Sequence, residues 1–397
     1  MSFSIPERAQ LKGPNFIRKV FERGIGVPGF ISFGIGNPAA EAIPVAVIQD
    51  TIRHIIDTSA LELLQYGPMQ GDIKLAEQTI ERLVMKRGMN REGQGLIISI
   101  GAGQLLGLMP RTFCEEGDEV FVDAYTFTSA INAIRNVGAK PRGIATDEDG
   151  MLPEALERAA KEGKGKYVYV IPNFQNPTGI TMPLSRRKDI YEVCRAYDLM
   201  IFEDDPYGEI RFAGEDVPTF KSFDVDNRVF YAGSYSKTIS AGLRVGFLFG
   251  PDKLINTMQS LKNNCDGQMP LITQRIVSVL LDTIDYDAQI QHVRDIYKKK
   301  CELMLDTFYK TGSHHVQLTR PTGGMFMWMT MPDYVDCDAF FEACMDHKVG
   351  IVPGAAFAAD GVTDSHSFRL SYTVPSHEEI VKGMTILGEL TKQFCKA

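Results

Sequence analysis

Short apolar runs recur through the middle of the chain, each closed by polar residues or glycine. LIISI (96–100), EVFVD (119–123), YVYVI (167–171), LMIFE (199–203), RVFYA (228–232) and RVGFLFG (244–250) are too short for helices and rich in β-branched and aromatic residues. Such runs read as strands buried on both faces. Helical segments fall between them: one over about 104–115, stopping at Gly117-Asp118, and another at PLSRRKDIYEVCRAY (183–197). Strands alternating with helices predict a mostly parallel α/β sheet.

After about residue 285 the period changes. Ile290, Val293, Ile296, Tyr297, Cys301, Met304, Leu305 and Phe308 recur at helical spacing and predict a long amphipathic helix. Strands near 325–330 and 367–372 follow. A last helix carries Ile380, Met384, Leu387, Leu390 and Phe394 on one face. This predicts a second, smaller α+β domain. The expected division is an N-terminal segment (1–45) shared between the small domain and a substrate site, a large domain (46–288) and a small C-terminal domain (289–397).

Composition narrows the classes. A chain of 397 residues, 44% hydrophobic and 23% charged, is ordinary globular material for two or three domains. A net charge of −8 argues against a nucleic-acid surface. No apolar run reaches the length of a membrane span, and MSFSIPERAQLKG lacks the apolar core of a signal peptide. Seven scattered cysteines without a CxxC pair fit reduced thiols in the cytoplasm. Proline in the middle of Asn176-Pro177-Thr178 rules out a glycosylation acceptor.

Five stretches at or near strand ends carry candidate chemistry, because ligands of open α/β sheets sit beyond the carboxyl ends of the strands. SIGAGQLLG (99–107) places glycines where backbone N–H groups can cradle an anion, or simply where the chain turns tightly. It matches neither GxGxxG nor GxxxxGK[ST]. In PNFQNPTGIT (172–181), Asn176 either offers its amide to a ligand or sits in a plain loop. FEDDPYGE (202–209) puts carboxylates side by side, which needs solvent, a metal or a cation. The seven histidines show no HxxxH or HExxH spacing, so a protonated ring nitrogen suits these carboxylates better than a metal. GSYSKTISAGLRVGF (233–247) sets Lys237 among Ser234, Ser236 and Arg244: a desolvated nucleophilic lysine beside a phosphate site, or an exposed lysine beside a capping serine. In SFRLSYT (367–373), Arg369 is either a two-point carboxylate clamp or a surface-strand arginine. Together the five describe one ligand, with an aldehyde, a phosphate, a ring nitrogen and a phenolic oxygen. That ligand is pyridoxal 5′-phosphate (PLP).

With NPTG at 176–179, DDPY at 204–207 and SYSK followed by an arginine seven residues on, nearly the whole chain resembles the fold type I PLP-dependent aminotransferases (class I/II). VPTFKSFDVDNRVFYAGSYSKTISAGLRVGFLFGP (217–251) and PTGGMFMW (321–328) resemble the kynurenine/2-aminoadipate and aromatic aminotransferases most. The resemblance implies a large domain with a mostly parallel seven-stranded sheet plus a smaller α+β domain. It implies that Lys237 holds PLP as a Schiff base and serves as proton carrier. Asp204 would pair with the pyridinium nitrogen, and Tyr207 and Asn176 with the ring's 3′-oxygen. Ser234, Ser236, Arg244 and the backbone around Gly103, Gln104 and Leu105 would hold the phosphate. Phe127 would stack on the ring, with Tyr125 as the nearby competitor. Tyr66 would reach the phosphate of a neighbouring subunit, implying a homodimer. Arg369 would clamp the substrate carboxylate, with Gly36 beside it and Arg18 contacting substrate. The implied reaction passes an amino group from an aromatic, kynurenine or 2-aminoadipate type L-amino acid to a 2-oxo acid such as 2-oxoglutarate. The phosphate turn GAGQLL, the Phe at the stacking position and the loop NPAAEAIP depart from common forms in relatives. A C–S β-lyase or other PLP enzyme could use the same residues. A PLP-binding transcription regulator would need a basic N-terminal domain, for which this sequence leaves no room.

Overall fold

The computed structural model describes residues 16–396. Its centre is a seven-stranded sheet: β1 (Gln94–Ile100), β2 (Glu119–Asp123), β3 (Lys140–Ile144), β4 (Gly165–Val170), β5 (Met200–Asp204), β6 (Val229–Ser234) and β7 (Val245–Pro251). The spatial order is β1-β7-β6-β5-β4-β2-β3. β7 runs antiparallel to both of its neighbours, and the other pairs are parallel. Six of the strands are the six apolar runs. Along β4, Tyr167 and Tyr169 enter one buried cluster while Val168 and Val170 enter another, so both faces are covered and the run is continuously apolar.

β3 is the strand the pattern missed. Its residues are KPRGI, and it lies at the sheet edge with one ladder side free. An edge strand tolerates Pro141 and need not be apolar, so periodicity carries no signal there.

A second sheet, fully antiparallel, has the order β8 (Gln317–Leu318), β9 (Phe326–Thr330), β11 (Ser367–Ser371), β10 (Val352–Pro353). The helices Tyr286–Thr311 and His377–Phe394 pack together nearby, each buried on the face that the helical spacing marks. Asp285 caps the first, and a Ser376/Glu379 capping box starts the second. Ile31–Ser32 pairs in parallel with Val349–Gly350, bringing the N-terminal residues beside the C-terminal ones. Among the described residues no helix is long and apolar enough to cross a membrane.

Candidate active site

The parallel strands β4, β5 and β6 deliver three polar segments to one edge. β5 ends in Glu203-Asp204, and strand alternation sends the two carboxyls to opposite faces. Glu203 accepts the backbone N–H groups of Phe220 and Lys221, both at 2.9 Å. Asp205 turns a third way, accepting Arg87 (2.9 Å), Asn173 (2.9 Å) and Tyr231 (3.0 Å). Adjacent carboxylates are thus separated by geometry, and only Asp204 keeps unmet capacity. Its Oδ2 accepts the Tyr169 hydroxyl at 2.8 Å, while its buried Oδ1 has no partner. Burial pushes the Asp204 carboxyl up to about 7.

Beyond β6 the chain turns through Ser234-Tyr235-Ser236 into Lys237. Desolvation, with Arg244 and Arg369 nearby, lowers the Lys237 amine to about 8. Its Nζ donates to Gly36 O at 3.3 Å. The reading of an exposed lysine is therefore excluded, and the serines face each other: Ser234 Oγ donates to Ser236 Oγ at 2.9 Å. Arg244 is exposed and adopts φ 54°, with Nη2 donating to Ile100 O at 3.4 Å. There it meets the start of the helix Gly101–Phe113. Gly101 has φ +64°, a backbone conformation that favours glycine, and a Cβ on it would lie 2.4 Å from Arg244 Nη2 and push the guanidinium aside. Gly103 is exposed at the helix start, and Leu105 is buried as an anchor. The Gln104 side chain is already used, accepting Ile100 N at 3.0 Å and donating to Asp266 at 2.7 Å.

Arg369, on β11, is 3% exposed, which excludes the surface-strand reading. Its guanidinium lies between the rings of Phe326 (4.4 Å) and Phe357 (4.8 Å). Nη1 donates to Asn176 Oδ1 at 3.0 Å and Nη2 to Gly34 O at 2.7 Å, leaving the buried Nε without a partner. Asn176 precedes a cis peptide to Pro177. Tyr207, also buried, has the Asn176 side chain within hydrogen-bonding reach and meets Phe326 edge-on at 6.0 Å.

Phe127 is half-buried at the N-cap of the helix Thr128–Asn136. Its competitor Tyr125 is committed elsewhere, packing on Trp328 (5.8 Å) and donating to Asp364 O (2.9 Å). Tyr66 stands apart on the surface, 89% exposed. The Arg18 side chain lies outside the described residues. Sequence reading missed Tyr169, Phe326, Phe357 and Gly34. For Tyr169 a signal existed: a tyrosine near the end of a strand buried on both faces needs a partner for its hydroxyl.

A parallel sheet whose carboxyl edge gathers a desolvated lysine, a carboxyl with one unpaired oxygen and a buried arginine defines a fold type I enzyme. The chain belongs to the aminotransferase class I and II family, whose profile matches residues 28–386, and it is an aminotransferase. It is similar to aromatic-amino-acid aminotransferase 1 of Thermococcus litoralis, at 33% identity over 92% of this chain and 89% of that protein. It is 31% identical to the 2-aminoadipate transaminase of Thermus thermophilus, over 92% and 91% of the two chains. A crystal structure of Pyrococcus horikoshii kynurenine aminotransferase, in complex with PMP, superposes with a TM-score of 0.94 at 32% identity, covering 99% of this chain and 98% of that one.

Proposed function

We propose that this aminotransferase works with pyridoxal 5′-phosphate on Lys237 and moves an amino group from aromatic, kynurenine or 2-aminoadipate type L-amino acids to a 2-oxo acid such as 2-oxoglutarate. The observation that carries the cofactor reading is Asp204. Its buried Oδ1 lacks a partner, and a protonated ring nitrogen supplies the donor it needs. The phosphate fits the helix start at Gly101, where backbone N–H groups around Gly103, Gln104 and Leu105, Ser234, Ser236 and Arg244 converge. Tyr207 and Asn176 suit the ring hydroxyl, and Phe127, free of the contacts that hold Tyr125, suits the ring face.

When bound, the cofactor supplies an aldehyde for an amine and a ring that draws electrons from the substrate Cα. The protein does the rest. Lys237, with its amine lowered to about 8, is about one-tenth neutral at pH 7, so it can act as nucleophile, take the proton from Cα of the amino donor, and in the reverse half-reaction give one to Cα of the acceptor. Arg369 presents a fork for the α-carboxylate, with Nε still unpaired, and Gly36 and Arg18 are assigned to the substrate by family resemblance alone. Amino and oxo acids carry the same carboxylate, so one arginine serves both half-reactions.

A homodimer completes this reading. Tyr66 projects from a surface with Leu61 (82% exposed), Leu64 (74%) and Ile73 (70%), apolar area that a second copy can cover while receiving the tyrosine. The division into 1–45, 46–288 and 289–397 belongs to the same proposal, supported by the separate positions of the two sheets along the chain.

A panel of amino donors with 2-oxoglutarate tests the substrate class. Aromatic donors, kynurenine and 2-aminoadipate should be used, and activity confined to alanine or aspartate would refute the assignment. Ammonia and pyruvate released from a cysteine-type substrate without an oxo acid would favour the lyase.

Asp204 gives a test independent of turnover. Its carboxyl sits near 7 in the folded protein against 3.8 ordinarily, so between those values the folded state holds the extra proton. Its stabilising share is complete below about pH 4 and is lost as pH rises through 7, on the order of a few kcal/mol. Cofactor-free Asp204→Asn should therefore lose less stability than the parent between pH 5 and 7.5 (about the upper half of that window). Parallel melting curves for the two proteins would contradict the burial argument.

A further inference from the structure

The two segments that bear the reacting groups are joined behind the site by a chain of side chains. Thr238 follows Lys237, and its Oγ1 lies 2.6 Å from the Tyr286 hydroxyl. That hydroxyl donates in turn to Glu209 Oε2 at 3.5 Å. Glu209 lies two residues beyond Tyr207 in the segment that begins at Asp204. Its Oε1 is held by Arg82 Nε (2.8 Å) and Nη2 (2.6 Å), and its carbonyl accepts Arg294 Nε at 2.9 Å. Arg82 also covers the Tyr286 ring at 4.5 Å and donates to Asp287 Oδ1 at 2.9 Å.

The directions of these bonds are constrained. A tyrosine hydroxyl donates one proton and accepts others. Glu209 can only accept, so when Tyr286 donates to it, Thr238 donates to Tyr286. The chain then runs Thr238 to Tyr286 to Glu209 in one sense, ending on a carboxylate already fixed by Arg82. The Thr238 carbonyl is held separately, accepting Gln289 Nε2 at 3.1 Å. Tyr286 is buried at 6% exposure beside the Tyr235 ring, so phenylalanine would fill the same space. What the hydroxyl adds is a link between two loops that otherwise leave different strands, β5 and β6.

We propose that Tyr286 is a positioning residue for Lys237: its hydroxyl, held between Thr238 and Glu209, fixes the lysine-bearing turn relative to the segment that carries Asp204 and Tyr207. Tyr286 touches no reacting atom. It acts through the backbone at Thr238, and small displacements of a reacting group weigh heavily on rate. The inference rests on Lys237 being the residue that bears the cofactor.

The test uses Tyr286→Phe, Thr238→Val and Thr238→Ser, together with Tyr286→Phe/Thr238→Val. Steady-state kcat and KM are measured. So is the rate at which cofactor-free protein gains lysine-linked absorbance on mixing with pyridoxal 5′-phosphate. Tyr286→Phe should lower kcat about tenfold with KM within about twofold, and slow the absorbance change to a similar degree. Thr238→Val should reproduce this, Thr238→Ser should keep the parent's rates, and the double variant should be no slower than either single one. Parent rates in Tyr286→Phe, losses that multiply in the double variant, or a loss that Thr238→Val does not reproduce would overturn the proposal. If the parent itself gains no lysine-linked absorbance, the cofactor reading fails instead, and the two failures are told apart.

Discussion

Lys237→Ala should abolish turnover, with a loss of about 10⁴-fold or more, and the protein mixed with pyridoxal 5′-phosphate should show no lysine-linked absorbance. The size follows from two roles falling on one amine. A positioned proton carrier contributes about 10²–10⁴-fold by itself, and a covalent attachment point adds to that. The other buried lysines among the described residues are paired: Lys221 with Asp224 at 2.8 Å, Lys262 with Asp266 at 3.1 Å and Lys300 with Glu41 at 2.7 Å. The Lys237 amine is the one held next to Gly36 O between Arg244 and Arg369. Steady-state rates and an absorbance spectrum check the result. Normal turnover in the variant would remove the basis of the site.

The sheet was legible because its strands are buried on both faces, which forces continuous apolar runs. β3 was not, because an edge strand escapes that demand. The candidate site was read from the sequence as a set rather than residue by residue. Lys237, Asn176 and Arg369 each admitted a plain reading from their own stretch, and the structure sets aside the exposed readings of Lys237 and Arg369 by burial and partners. Arg369 lies at 3% exposure between two rings, and no local pattern in SFRLSYT states that. The carboxylate row at 203–205 shows the same limit. Its composition announces a charge problem, but the solution depends on Arg87, Asn173 and the backbone at 220–221, which are distant in sequence. Tyr286 and Thr238 went unread because a buried hydroxyl pair leaves no periodic mark on either helix or loop. Tyr66 marks a different boundary: on one chain it is an exposed side chain, and its role requires a second copy.

Arg369→Gln should raise KM for both the amino donor and the oxo acceptor, lowering kcat/KM by about 10²–10³-fold for each. Burial lowers the guanidinium to about 10, so it remains charged near neutrality, and among the described residues no carboxylate is hydrogen-bonded to it. In the proposed reading, a substrate carboxylate is the anion that answers it. Removing one member of such a buried pair costs about 2–5 kcal/mol, which brackets the expected loss at about 1.4 kcal/mol per tenfold. Glutamine keeps a polar end beside Asn176 and Gly34, so the comparison isolates charge and fork geometry better than alanine would. Lysine is no conservative choice, since its ammonium is a point charge without the planar fork that Arg369 holds against the Phe326 and Phe357 rings. If the two substrates take turns at one clamp, as proposed, their losses should match. A loss confined to the amino donor would mean that the oxo acid is held elsewhere, and the shared clamp would have to be abandoned.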